Sequence, residues 1–266
     1  MEVYHPNVNL SLFVESIWRI NRVIEDRIVT KIIPDGSSEI IMNYGDSYEL
    51  SFNGKDFKPF NGIQLFFIRD KIKYLKQGTN SKAIGIRLKP YSLYLLTGIP
   101  LSDYSFKISP LSNLLPELGK KLTDISNIFD RLEVLKIVEQ LLTDFFLTLA
   151  AERDHTAELI YEEIERMKGV TSVAYILEKF KINYKHCERL FAKYYGTTPK
   201  KYIRFRRLNF VLNEINKIQN KPDFISIVEK FAFHDQAHFI KEFIDLTGVS
   251  PLSLFQENNT LQKIYK

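Results

Sequence analysis

Eight cationic side chains, Lys185, Arg189, Lys193, Lys200, Lys201, Arg204, Arg206 and Arg207, crowd one short stretch of this chain and face a single acid, Glu188. Lysine and arginine at that density can follow a phosphate backbone, because each cation that meets a phosphate releases condensed counterions. A solvated helix face laced with ion pairs is the plainer reading of the same residues. The charge balance favours the first. Residues 1–157 hold 19 Lys/Arg and 19 Asp/Glu, residues 158–266 hold 18 and 13, so the formal charge of +5 arises entirely in the C-terminal part.

Other chemistries find few residues to use. A metal site needs several converging His and carboxylate ligands, and His5 is the single histidine among the first 150 residues, so no metal and no cofactor are expected. No glycine-rich phosphate loop, nucleophile elbow or Cys/His pair occurs, and the paired carboxylates Glu25-Asp26 lie in loop-like sequence, where solvated surface is expected. The one cysteine, Cys187, cannot form an internal disulfide and sits at a core position, as a small buried hydrophobe. The chain is read as a non-enzyme.

The elements that carry the cations form a repeat. Phe191, Gly196 and Pro199 recur 52 positions later as Phe243, Gly248 and Pro251, and Asn183 recurs as Asp235. Asn183 and Asp235 are good helix N-caps, and Gly196 and Gly248 suit left-handed C-caps. Thr197-Thr198-Pro199 and Val249-Ser250-Pro251 then open a second helix in each copy. Upstream of each cap lies a short amphipathic stretch, Ser172–Phe180 and Phe224–Phe231, so each copy predicts helix, tight turn, helix. One supersecondary unit is used twice.

These residues carry a resemblance. The segment from about Thr171 to Gln256 resembles the DNA-binding domain of the AraC/XylS family of bacterial transcription regulators. The matching elements are LFAKYYGTTPKKYIRFRRL (Leu190–Leu208) and FAFHDQAHFIKEFIDLTGVSPLSLF (Phe231–Phe255); Ala232, Val228 and Lys241 depart from the usual glycine, alanine and arginine. The resemblance implies a regulator whose two helix-turn-helix units enter successive major grooves of duplex DNA.

Helical periodicity sorts the side chains of each second helix. Cys187, Leu190, Phe191 and Tyr194 share the apolar side of the first, leaving Tyr184, Lys185, Glu188, Arg189 and Ala192 outward. Arg189 or Lys185 could then pair with guanine and Glu188 with cytosine. In the second, Phe239, Phe243 and Leu246 form the core side and Gln236, Ala237, Ile240, Lys241 and Ile244 face outward. Gln236 suits adenine and Ile240 a thymine methyl, with Lys241 beside them; backbone phosphates are the alternative target. Lys193, Lys200, Lys201, Tyr202, Arg204 and Arg206 are the candidates for phosphate contact. Thr198–Lys217 reads as one helix joining the units, with Tyr202, Phe205, Leu208, Val211, Leu212 and Ile215 on one side. Its length of about 30 Å approaches one turn of B-DNA, roughly 34 Å. The first unit is expected to carry most of the base specificity.

The N-terminal part, to about residue 105, reads mostly as strands: Ile28–Ile33, the turn Pro34-Asp35-Gly36, Ser38–Tyr44, the Asn53-Gly54 turn, Ile63–Ile68 and Ala83–Leu88. A mainly antiparallel sandwich or barrel is expected. YHPNVNLSLFVESIW, IIPDGSSEIIMNYGD and AIGIRLKPYSLYLLTGIP resemble an N-terminal domain often joined to AraC-type DNA-binding domains, which implies a cupin-like β-barrel that senses a small-molecule effector. Tyr44, Phe52, Phe66 and Arg87 are the candidates for lining such a pocket, with ordinary core as the alternative.

Leu111–Ala150 looks helical, and Leu132, Leu135, Val138, Leu142, Phe145 and Leu149 form an a/d-type seam. It serves either as packing on the barrel or as the dimerisation helix that the resemblance implies. The predicted architecture is α+β and multidomain: a mainly antiparallel β-barrel with helices over 1–150, a linker over 151–156, and an all-α domain with two helix-turn-helix units over 157–266. Duplex DNA, an effector, a second copy of the chain and RNA polymerase are the expected partners. With no run of about 18 apolar residues and no basic and apolar leader, no membrane is expected and the setting is cytoplasmic. The alternatives are an effector-independent DNA binder whose barrel only dimerises, or a catalytic or carbohydrate-binding barrel with a DNA-binding tail.

Overall fold

The computed structural model describes residues 2–23, 29–68, 72–104, 108–130, 133–149, 155–215 and 223–256. Eight strands form one antiparallel sheet: β1 (Glu2–Tyr4), β2 (Val14–Val23), β3 (Val29–Ile32), β4 (Ser38–Ser51), β5 (Lys58–Phe66), β6 (Lys73–Lys76), β7 (Asn80–Leu88) and, after helix α1 (Ser92–Thr97), β8 (Ile108–Pro110). The main order is β1-β2-β7-β4-β5-β8. β4 is long enough to serve two partners along one edge. Its first half pairs with β7 (Ser38↔Leu88 to Asn43↔Ala83), and past a register shift its end pairs with β6 (Glu49↔Lys76 to Ser51↔Tyr74).

The strand expected at Ile28–Ile33 is β3, with residue 28 outside the described residues. Its partner is β6 and not the strand that follows the Pro34-Asp35-Gly36 turn. That leaves the turn free to face the C-terminal helices. The alternation read at Ile84, Ile86 and Leu88 holds, since all three are fully buried, beside Ile40, Met42 and Leu65.

The stretch 111–150 is not one helix. A 3-10 turn (Leu111–Asn113) leads to α2 (Pro116–Asp124), started by Pro116, then to a second 3-10 turn (Ile125–Ile128) and α3 (Val134–Leu149). Of the seam, Leu135, Val138 and Leu142 are buried on the sheet, and Phe146 takes the next buried place by stacking on Phe13 at 4.6 Å. Phe145, like Leu141, is only partly buried at the margin of that core, and Ile137 beside them is exposed. Leu132 and the side chain of Leu149 lie outside the described residues, as do Glu25-Asp26 and most of the linker. The last two residues of the expected 151–156 linker, His155 and Thr156, already belong to α4 (His155–Arg166).

The remaining helices are α5 (Val173–Phe180), α6 (Tyr184–Tyr195), α7 (Pro199–Ile215), α8 (Phe224–Lys230), α9 (Gln236–Thr247) and α10 (Pro251–Gln256). Ser172, Asn183, Asp223 and Asp235 each cap a helix, accepting the backbone N–H of Tyr175, His186, Ile225 and His238 respectively. The first caps of the two units are 51 positions apart and the second caps 52, because α8 is one residue shorter than α5 while the α8–α9 turn holds two residues more than the α5–α6 turn. Both turns use a left-handed residue that is not glycine, Lys181 (φ 52°) and Ala232 (φ 50°).

Candidate nucleic-acid interface

The predicted base-facing residues of the first unit stand where the sequence put them. Lys185, Glu188 and Arg189 are exposed on α6 beside Tyr184, while Cys187, Leu190, Phe191, Tyr194 and Tyr195 are buried. Burial pushes the Cys187 thiol up to about 11, in keeping with an inert apolar filler. On α9, Gln236 and Lys241 are exposed and Ile244 is 42% exposed, whereas Ile240 leans on the second core and is only partly open.

The phosphate candidates divide sharply. Lys200 is exposed at the start of α7, and Lys201 lies half-buried with its ammonium 5.5 Å from the Phe205 ring centre. Two others are removed from the surface. Tyr202 is fully buried among Phe191, Tyr195 and the Gly36 turn, and Arg206 is 5% exposed with a bidentate pair to Glu165 (2.5 and 2.6 Å). The physical reason is that α7 is covered on more than one side, by both helix-turn-helix units and by the N-terminal sheet, so the single-sided stripe read from its sequence understates its core. Lys193 rests its ammonium over the Tyr94 ring of α1 at 4.6 Å, and Arg204 pairs with Asp245 at 2.7 Å.

Sequence reasoning missed Glu242. It occupies in α9 the place that buried Leu190 occupies in α6, 52 positions earlier, yet it is a carboxylate and 8% exposed. Arg207 (2.6 Å), Arg204 (3.4 Å) and His238 (3.6 Å) surround it, and the Arg207 guanidinium also stacks on Phe233 at 4.2 Å. A buried carboxylate is tolerated only with such partners. The repeat offset itself was the missed signal: an acid at a core register demands cations. Glu242 thereby ties the joining helix to the second recognition helix, beside a cleft of about 860 Å³ lined in part by Ser172, Lys200, Arg204, His238 and Lys241.

In the first unit Glu163 plays the corresponding role between α4 and α5. Arg166 (2.6 Å), Lys179 (2.7 Å) and the Tyr175 hydroxyl (2.7 Å) converge on it, and the Arg166 and Lys179 bonds hold its carboxyl well below the usual carboxylate range.

The four effector-pocket candidates have different partners. The Tyr44 hydroxyl donates to the Leu122 carbonyl (3.1 Å); Phe52, 54% exposed, and Phe66 flank the Lys73 ammonium at 5.6 Å each. Arg87 pairs with Asp35 (2.7 Å) and Glu15 (3.2 Å) on the face turned to the C-terminal helices. Burial opposes the charge on Glu15, but Arg87 and Arg206 hold its carboxyl below the usual range. Their contacts thus fall in three places, around Leu122, Lys73 and Asp35. Among the described residues there is no His/Cys/Asp/Glu group that could hold a metal ion, and no helix is long and apolar enough to cross a membrane.

A family comparison agrees with the helix pattern of the C-terminal part. Residues 176–257 match the model of a helix-turn-helix domain family, and residues 2–107 match a family described as a domain of unknown function. No curated protein matches this sequence. Among solved structures the chain is similar to an apo ToxT variant from Vibrio cholerae strain SCE256, with 11% identity and a TM-score of 0.48, covering 95% of this chain and 99% of that one. It is similar also to unsaturated fatty acid bound ToxT from the same strain (12%, TM-score 0.44, 90% and 93%) and to the AraC-like transcriptional activator CuxR (14%, TM-score 0.28, 78% and 84%).

Residues 176–257 thus form a helix-turn-helix domain, in a chain whose N-terminal part is an antiparallel β-sheet region.

Proposed function

We propose that this chain is a DNA-binding transcription regulator of the AraC type that reads two half-sites on one face of duplex DNA, with α6 and α9 in successive major grooves. The observation that carries the reading is the pair of capped, exposed helix starts, Tyr184-Lys185 and Gln236-Ala237, at the two sides of a 17-residue joining helix. At 1.5 Å per residue α7 is about 26 Å long, and with the offset of the flanking helices it suits grooves roughly 34 Å apart. Arg189, Lys185 and Glu188 read bases in the first half-site; Gln236, Ile240 and Lys241 meet the second. Lys200 and Lys201 remain for phosphates. Because α9 offers few hydrogen-bonding side chains, the first unit carries most of the specificity.

The N-terminal region is the place for control by a small-molecule effector, which would shift the DNA-binding part between states it binds unequally. The edge of α3 at exposed Ile137, flanked by partly buried Leu141 and Phe145, suits a second copy of the chain. The protein acts without catalysis, in the cytoplasm, with RNA polymerase as its downstream partner. Selection of bound fragments from random duplex DNA by the full-length protein tests the reading. Two enriched blocks about one helical turn apart, the stronger one lost in Arg189→Ala, are expected; a profile that Arg189→Ala leaves unchanged rejects the assignment of the first unit.

A further inference from the structure

The two C-cap glycines of the repeat share a feature that the repeat alone does not require: each is pressed against the N-terminal region. Gly196 ends α6 in the left-handed conformation (φ 61°), and a methyl group there would lie 3.0 Å from the Leu101 carbonyl oxygen. Gly248 ends α9 in the same way (φ 71°), and a methyl group there would lie 2.8 Å from Ile72 Cδ1. Between them, Gly36 packs on Tyr202 and Phe205 of α7, and Asn209 Nδ2 donates to the Asp35 carbonyl at 3.0 Å. The N-terminal region therefore touches the first unit, the joining helix and the second unit in turn.

We infer that this brace sets the separation and relative tilt at which the two recognition helices meet DNA, with Leu101 and Ile72 as its positioning residues. Both contacts fall at the C-terminal end of a 12-residue helix, about 18 Å from the N-terminal turn that carries Lys185 or Gln236. A small shift at the cap swings the reading end, and packed interfaces shift between discrete arrangements instead of yielding smoothly. Neither positioning residue lies on an exposed recognition face. Leu101 is 1% exposed in the shared core, and Ile72 is half-buried beside β6.

The inference rests on the two-half-site reading, and the test separates the two. Full-length protein and Ile72→Glu are titrated against the selected duplex and against versions with one base pair added to or removed from the spacer. One base pair rotates the second half-site by about 35°. Wild type is expected to lose about tenfold or more on either change. Ile72→Glu is expected to lose less than about threefold, with its affinity for the first half-site alone unchanged. A variant with the wild-type spacer profile overturns the brace. Ile72→Ala, which adds no charge, is measured in parallel and is expected to shift the profile in the same direction should Ile72→Glu fail to fold. Wild type that selects one half-site only also overturns the brace while leaving a DNA-binding protein, whereas wild type that selects no duplex overturns the DNA reading itself.

Discussion

The two helix-turn-helix units are copies of one design held in different ways. The core of the first, Cys187, Leu190, Phe191, Tyr194 and Tyr195, is continuous with Leu93, Leu96 and Leu101 of the N-terminal region and with Ala157, Ile160 and Ile164 of α4. The core of the second, Phe239, Phe243 and Leu246, closes on Phe205, Leu208, Val211 and Phe231 as a separate cluster. α7 belongs to both, with Tyr202 and Ile203 in the first core and Phe205 onward in the second. The difference teaches that a sequence repeat conserves local punctuation while leaving each copy's anchoring to its surroundings. The first unit shares one core with the body of the protein; the second is held by α7, the Glu242 cluster and a few N-terminal contacts at Ile33, Gly36 and Ile72.

The sharpest test of this contrast uses Trp18, the only tryptophan, buried in β2 of the N-terminal sheet. Phe191→Ala is expected to cost about 3–5 kcal/mol and to move the urea transition seen by Trp18 fluorescence together with that seen by helical circular dichroism. Phe243→Ala, a loss of similar size, is expected to lower the helical transition while Trp18 holds its midpoint. Trp18 midpoints that move equally in both variants would erase the distinction between the units.

A smaller effect concerns recognition. Arg189→Ala is expected to weaken binding by about 1–3 kcal/mol and to relax preference at one base pair, against under about 1 kcal/mol for Gln236→Ala, as measured on singly substituted duplexes. Equal losses would mean that the units share specificity evenly.

Removing the cap of the first recognition helix, Asn183→Ala, is expected to cost about 1 kcal/mol by urea unfolding, since the His186 N–H, now 2.8 Å from Asn183 Oδ1, loses its acceptor. At the small end, Ala232→Gly is expected to stabilise the second unit by about 0.5–1 kcal/mol, because Ala232 sits at φ 50°, where a side chain is strained. A hydrogen-exchange gain confined to α8–α10 would locate that effect; no gain would mean that the turn relaxes on substitution.

Much of the site was legible because it rests on local chemistry. The Asn183 and Asp235 caps, the C-cap glycines and the helix-opening prolines act through the backbone within a few residues, so spacing alone exposes them. The exposed positions of Lys185, Glu188, Arg189, Gln236 and Lys241 followed from helical period. Illegible was the fate of the other cations, because lysine and arginine look alike in sequence whether they meet phosphate, a buried carboxylate or an aromatic ring. Arg206 turned inward to Glu165, Arg207 to Glu242 and Lys193 to Tyr94 for reasons set by elements dozens or more residues away. The broken helix after residue 111 was partly readable from Pro116, while the pairing of β3 with β6 in place of β4 was not, since strand partners are chosen across the chain.

By itself, then, the sequence determined that the C-terminal part is two copies of a helix-turn-helix unit with a basic surplus, since capping, periodicity and net charge are properties of neighbouring residues. Only the tertiary structure decided which copy is welded to the N-terminal sheet, which cations stay exposed, and that Leu101 and Ile72 stand under equivalent glycines, because burial and ion pairing depend on what arrives from elsewhere in the chain.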